Sequence, residues 1–115
     1  MSAALGQKRV YLARFTQRKD RSRQFAKIGI SGFSLLRRFA ADRGTYEIEL
    51  ISESTYYSAC DALIVEGNLH SVFSHKQLTP ILQLQSNGNT ECFSVDIIPT
   101  ALEILSGSSF GSIIN

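Results

Sequence analysis

The sequence has no Cys-x-x-Cys pair, no long apolar run and only one basic residue beyond position 44. No apolar run approaches the roughly 18 residues of a membrane span, and residues 1–9 lack the apolar segment of a secretory signal. The two cysteines, Cys60 and Cys92, lie far apart in the sequence, so we expect reduced, partly buried thiols. These absences predict a soluble, cytoplasmic protein with no membrane partner.

The length fits one globular domain. A chain of 115 residues, 43% hydrophobic and 19% charged, has enough apolar residues for one core. No internal repeat and no linker divides it. We therefore expect a single domain over residues 1–115, with its core at about 9–105 and a flexible Gly/Ser-rich tail at 106–115.

Basic residues are concentrated in the first 44 positions. This part has eleven bases and two acids, whereas the remainder has one base and eight acids. Such a basic half predicts a partner with a phosphate backbone. The alternative is a solvated basic loop at 17–24 that pairs with the acidic half. The candidate contact residues are Arg14, Arg18, Lys19, Arg21, Arg23 and Arg38.

Alternating apolar residues predict strands at 9–15, 25–30 and 46–51, the first two forming a hairpin. Helical spacing predicts a short helix over 33–41, a long helix over about 55–77 and a last short helix over 99–105. Residues 81–85 and 90–95, joined by a turn at Asn87-Gly88, predict a second hairpin.

A carboxylate interrupts the apolar stripe of the long predicted helix. Glu66 falls in the same arc of the helical wheel as the apolar residues, which are Ala62, Val65, Leu69, Val72 and Phe73. A buried ionised carboxylate needs a cation, a metal ion or neutralisation. The alternative is that Glu66 lies at the rim of the stripe and reaches water.

The order of these elements and five short motifs resemble the GIY-YIG nuclease superfamily, in particular its phage-type branch. The motifs are Val10-Tyr11-Leu12, Lys27-Ile28-Gly29-Ile30-Ser31, an arginine at 37 or 38, Leu63-x-x-Glu66-x-x-Leu69-His70-x-x-Phe73, and Thr90-Glu-Cys-Phe93. The resemblance covers about residues 10–105. It implies an α/β domain in which helices flank a small three-stranded antiparallel sheet, with the C-terminal hairpin and short helix added.

The resemblance also implies a function and a set of site residues. The function is that of a DNA endonuclease that depends on Mg²⁺ or Mn²⁺, and Glu66 is the metal ligand. Tyr11 is the base that orients or deprotonates water, and its phenol needs a nearby cation such as Lys27 or the metal ion. Arg37, preferred over Arg38 by its offset from Gly29, stabilises the phosphate.

Two departures from the family pattern leave roles open. Lys27 stands where the wider superfamily has a second tyrosine, and no late polar residue is clearly identified among Asn87, Asn89 and Glu91. His70 lies one turn after Glu66, where it either shuttles a proton or contacts phosphate, or is simply hydrogen-bonded at the helix flank.

Three functional hypotheses remain. The first is an endonuclease with low sequence specificity that nicks DNA, in the nucleoid or nucleus. The second is a module of the same fold that binds nucleic acid without cutting it. The third is a small interaction subunit whose acidic half docks a basic partner; a homodimer formed through the two oppositely charged halves would support it.

Overall fold

Four antiparallel strands form one sheet in the order β3-β1-β2-β4. The computed structural model describes residues 8–32, 34–56, 58–80, 82, 84–85 and 91–111. Its strands are β1 (Lys8–Gln17), β2 (Gln24–Ser31), β3 (Tyr46–Tyr56) and β4 (Cys92–Phe93). The three predicted strands and the first hairpin are confirmed, and β3 extends beyond its predicted end at residue 51.

The fourth strand corrects the predicted three-stranded sheet. Cys92 and Phe93 pair with β2, and their side chains are buried on opposite sides of the sheet, as strand alternation requires. The predicted second hairpin is wrong where it can be examined. Residues 82, 84 and 85 belong to no strand, and β4 pairs with β2 instead. Residues 81, 83 and 86–90 lie outside the described part of the chain.

The predicted helix over 33–41 is two short pieces, α1 (Leu35–Arg38) and a 3-10 turn (Ala40–Asp42). The Ser34 side chain accepts a hydrogen bond from the backbone of Arg37 at 3.3 Å and so caps α1. Leu35 and Phe39 supply the buried side, whereas Ala40 is exposed. Because Phe39 leaves helical geometry to enter the core, the helix ends there. Residue 33 is not among those described.

The long helix, α2 (Ala59–Val72), begins later than predicted and is followed by a 3-10 turn (Ser74–Lys76). Residues 55 and 56 belong to β3, and the Ser58 hydroxyl caps the helix start by accepting from two backbone amides. Of the predicted stripe, Ala62, Leu69 and Phe73 are buried and Val65 is half-buried. The prediction was wrong for Val72, which is 51% exposed.

The last helix, α3 (Ile98–Gly111), includes part of the predicted flexible tail. Pro99 is tolerated in its first turn, where no intrahelical donor is needed, and Ala101 and Leu105 bury its inner side. The predicted short helix over 99–105 is therefore longer than expected, and residues 112–115 are outside the described ranges. Within the described ranges, no helix has the length and apolar character to cross a membrane.

Side chains pack on both sides of the sheet. On one side, Val10, Leu12 and Ile28 pack against α2 and α3. On the other side, an aromatic cluster contains Phe15, Phe25, Phe39 and Tyr46, with Tyr11 and Cys92. Cys92 is buried, but Cys60 is exposed, so the prediction of two partly buried thiols was wrong for Cys60.

Candidate active site

Tyr11 lies in β1 with its side chain buried on the aromatic side of the sheet. Only 1% of the residue is exposed, and its ring meets the Phe39 ring edge-on at a centroid distance of 6.1 Å. Among the described residues, its hydroxyl group has no hydrogen-bond partner. Burial is the main cause that raises the pKa of Tyr11 well above its ordinary value; Arg38 opposes this shift, and Glu91 and Glu66 add to it. The phenol is therefore protonated in the free protein.

Gly29 makes room for that hydroxyl group. It stands opposite Tyr11 in the β1–β2 register. A Cβ atom at position 29 would lie 2.7 Å from the Tyr11 Oη atom and 2.9 Å from the Glu91 Oε1 atom. Such distances are too short for real side-chain contacts, so only glycine fits beneath these two polar groups without moving them.

A buried ion pair joins β2 to the residue that precedes β4. The Lys27 Nζ atom lies 2.8 Å from the Glu91 Oε1 atom, and the lysine side chain is fully buried. The ammonium group also lies 5.4 Å from the centroid of the Phe39 ring. A buried ammonium is costly unless it is paired. The pairing of β4 with β2 places Glu91 where it can supply the counterion of Lys27.

Glu66 projects from α2 toward the same place. Its side chain is 14% exposed, which is intermediate between full burial and a rim position open to water. The pKa of Glu66 is raised, first by partial burial and then by the negative charge of Glu91; His70 and Lys27 oppose the shift. Two carboxyl groups, Glu66 and Glu91, thus line one cavity of about 250 Å³.

His70 is held by the backbone of β2. Its Nε2 atom lies 2.8 Å from the carbonyl oxygen of Ile28, so Nε2 carries the proton and donates it to that oxygen. The Glu66 Oε2 atom is more distant, at 3.9 Å, and the ring packs against Phe93. This geometry corresponds to the hydrogen-bonded histidine that was the alternative to a proton shuttle.

Of the two neighbouring arginines, Arg38 is the one near Tyr11. Its guanidinium group lies 5.2 Å from the centroid of the Phe39 ring, and its buried Nε atom has no hydrogen-bond partner among the described residues. The group lowers the pKa of Tyr11 against the effect of burial. Arg37, the arginine preferred from sequence spacing, is exposed on α1. The structure thus brings together Tyr11, Lys27, Glu66 and Arg38.

The basic hairpin loop is remote from this cluster and its arginines are engaged. From Tyr11 to its last residue, Gln17, β1 extends about 20 Å at the rise of a strand. The contacts are Arg14 with Glu49 at 2.7 Å, Arg21 with Glu47 at 2.6 Å, Arg23 with Asp20 at 3.0 Å, and Arg18 with the Arg43 carbonyl oxygen at 2.7 Å. Lys19 is exposed. Pairing of the loop with the acidic half, the alternative to a phosphate-binding loop, is therefore present at Arg21, and Arg14 on β1 pairs with the same half.

Glu91 is the site residue that the sequence did not assign. Its only sequence signal is its place directly before Cys92-Phe93, in the last motif of the resemblance. In the described part of the chain, no three residues of the types His, Cys, Asp and Glu come together as metal ligands. Asn87 and Asn89, the other candidates for the late polar residue, fall outside that part.

Comparison with known proteins adds no constraint on function. No family model, curated protein or solved structure matches this chain. A function must therefore be inferred from the cluster of Tyr11, Lys27, Glu66, Arg38 and Glu91 and from the motifs that carry the resemblance.

Proposed function

We propose that this protein is a divalent-metal-dependent DNA endonuclease of the GIY-YIG type that hydrolyses phosphodiester bonds. The observation that carries the proposal is the convergence of Tyr11, Arg38 and Glu66 from three separate elements, β1, α1 and α2. A pure binding module would need cations alone. A phenol, a guanidinium and a carboxylate are the groups that phosphodiester hydrolysis requires.

Tyr11 is the group that orients the attacking water and takes its proton. Its hydroxyl is buried, and no well-aligned hydrogen bond from the described part of the chain reaches it, although the Arg38 side chain lies close enough to interact with it. The raised pKa of Tyr11 means that a cation must approach before the phenol can act as a base. The Arg38 guanidinium already acts in that direction.

Glu66 holds the cation, Mg²⁺ or Mn²⁺. Carboxylate oxygen is the ligand type that these hard cations prefer, and such ions keep several waters and bind phosphate oxygens at the same time. The donor set fits a divalent cation. A second carboxylate, Glu91, faces the same cavity and disfavours the negative charge on Glu66, and a cation between them would relieve this repulsion. When bound, the ion supplies Lewis-acid stabilisation of the phosphate.

Arg38 stabilises the charge of the pentacovalent phosphate, in place of the Arg37 that sequence spacing favours. Guanidinium groups donate to two phosphate oxygens at once and keep their charge. Lys27 pairs with Glu91, whose Oε1 atom and the Tyr11 hydroxyl group both face Gly29. One such site cuts one strand at a time, so nicking with low sequence specificity is the expected activity.

The proposal is tested by incubating supercoiled plasmid with the protein and Mg²⁺ or Mn²⁺, beside Glu66→Gln and Tyr11→Phe variants. Because the Tyr11 hydroxyl has no described hydrogen-bond partner, Tyr11→Phe should fold with unchanged or higher stability and still fail to nick. Glu103→Gln, which removes the same charge at an exposed position of α3, is the matched control and should nick normally.

Loss of nicking in Glu66→Gln and Tyr11→Phe, and in the wild type with chelator, is the expected result. DNA retention without cutting by the wild type and all variants would instead favour the binding module. If the protein neither cuts nor retains DNA, the interaction subunit is the remaining hypothesis.

A further inference from the structure

Glu91 reaches the cavity of Glu66 from a distant part of the chain. The cavity is lined by Lys8, Ile30, Ala59, Leu63, Glu66 and Glu91. One oxygen of Glu91, Oε1, is engaged by the Lys27 ammonium group at 2.8 Å. The Glu91 side chain is 25% exposed, so a small ion from solvent can reach the carboxyl group.

A buried hydroxyl group lies close to the Glu91 carboxyl group. The Tyr11 Oη atom and the Glu91 Oε1 atom lie 2.7 and 2.9 Å from one point, where a Cβ atom of residue 29 would stand. Tyr11 is 1% exposed, and its hydroxyl group has no hydrogen-bond partner in the described ranges. A buried donor without a partner is costly, and a bound hydrated ion would supply water to it.

From these contacts we propose that Glu91 is a second carboxylate ligand, which shares one divalent cation with Glu66, and that Lys27 competes with the cation for Glu91. The inference rests on the proposed function, because it deepens the metal site of that proposal. Mg²⁺ and Mn²⁺ are commonly held by one or two carboxylates, with waters and phosphate oxygens completing the shell. Two carboxylates on one cavity satisfy that requirement.

The competition by Lys27 gives the inference a distinctive signature. If Lys27 only stabilised the fold through Glu91, its replacement would leave the metal affinity unchanged or would lower it. A lysine that competes for Glu91 leaves both carboxylates to the cation when it is replaced by methionine. Lys27→Met should therefore bind the ion more tightly than the wild type, although it has lost a charge that the reaction uses.

The test is Mn²⁺ binding to the full chain without DNA, measured from the electron paramagnetic resonance signal of free Mn²⁺. Glu91→Gln should bind at least about tenfold more weakly than the wild type, because the ligand charge falls by one. Lys27→Met should bind several-fold more tightly, and Glu103→Gln should bind as the wild type does. Circular dichroism of each variant checks folding.

Wild-type affinity in a folded Glu91→Gln would overturn the inference. If Glu91→Gln fails to fold because Lys27 loses its counterion, Lys27→Met decides alone, and unchanged or weaker binding there overturns the inference. The absence of Mn²⁺ binding by the wild type would also overturn it. The nicking assay with Glu66→Gln is separate, so the proposed function can stand when Glu91 proves not to be a ligand.

Discussion

Replacement of Gly29 by alanine tests the close packing on which the site depends. The added Cβ atom would lie 2.7 Å from the Tyr11 Oη atom, 3.0 Å from Tyr11 Cζ and 2.9 Å from Glu91 Oε1, whereas ordinary contacts begin at 3.4 Å. The Tyr11 hydroxyl group must therefore move by about 0.7 Å. Its buried ring has little space for this movement, because it packs against Phe39.

The magnitude follows from two opposing effects on stability. Overpacking costs about 1–3 kcal/mol, and the smaller backbone freedom of unfolded alanine returns about 0.4–1 kcal/mol. We expect Gly29→Ala to lose between about 0 and 2.5 kcal/mol, or up to roughly 10 °C of melting temperature. Nicking should fall about 100-fold, because displacements near 1 Å in a catalytic group have effects of that size.

The assays are urea unfolding followed by circular dichroism and the plasmid nicking assay. Gly67→Ala is the matched control, since a Cβ atom at that position on α2 meets nothing within 4 Å. It should gain up to about 1 kcal/mol of stability from helix propensity and keep its nicking rate. A Gly29→Ala protein with wild-type nicking and at least wild-type stability would show that the Tyr11 hydroxyl group does not depend on the space above Gly29.

Two further predictions concern single side chains. The exposed thiol of Cys60 should react with Ellman's reagent in the native protein. Cys92 should react only on unfolding, because burial is the main cause that raises the pKa of its thiol to about 11. Two fast-reacting thiols in the native protein would contradict the packing of β4. His70→Ala should lose about 1 kcal/mol through its bond to the Ile28 carbonyl oxygen and keep most of its nicking; a complete loss of nicking would show that the histidine takes part in the reaction.

The strands were predictable because period-two alternation is a local signal. β3 carries it from Tyr46 to Leu50, where glutamates alternate with apolar residues, whereas β1 and β2 are short runs buried on both sides of the sheet. β4 has two residues, too few for any period to be visible, and its partner is distant in sequence. Residues 106–111 combine serine and glycine, which disfavour helices, so the continuation of α3 beyond Leu105 was not apparent from composition.

The site was predictable only where a motif fixes single residues. Tyr11, Lys27 and Glu66 were identified in this way, and the structure brings them together. The choice between adjacent arginines depends on helix phase, because neighbouring positions diverge by about 100°, and a count from Gly29 cannot determine it. The position of Glu91 in the site depends on the pairing of β4 with β2, and no local sequence pattern encodes that pairing.

The charge pairs of β3 also bear on solubility. β3 forms one edge of the sheet and, in the described part of the chain, has β1 as its only strand neighbour. Eleven residues of open edge would offer a template to a strand of another molecule. Glu47, Glu49 and Glu53 occupy this edge strand, and their partners are arginines of the same chain. A second copy that paired with this edge would have to desolvate these ion pairs, which is unfavourable. The glutamates that pair with the arginines of β1 and of the loop after it therefore also disfavour edge-to-edge aggregation of the sheet.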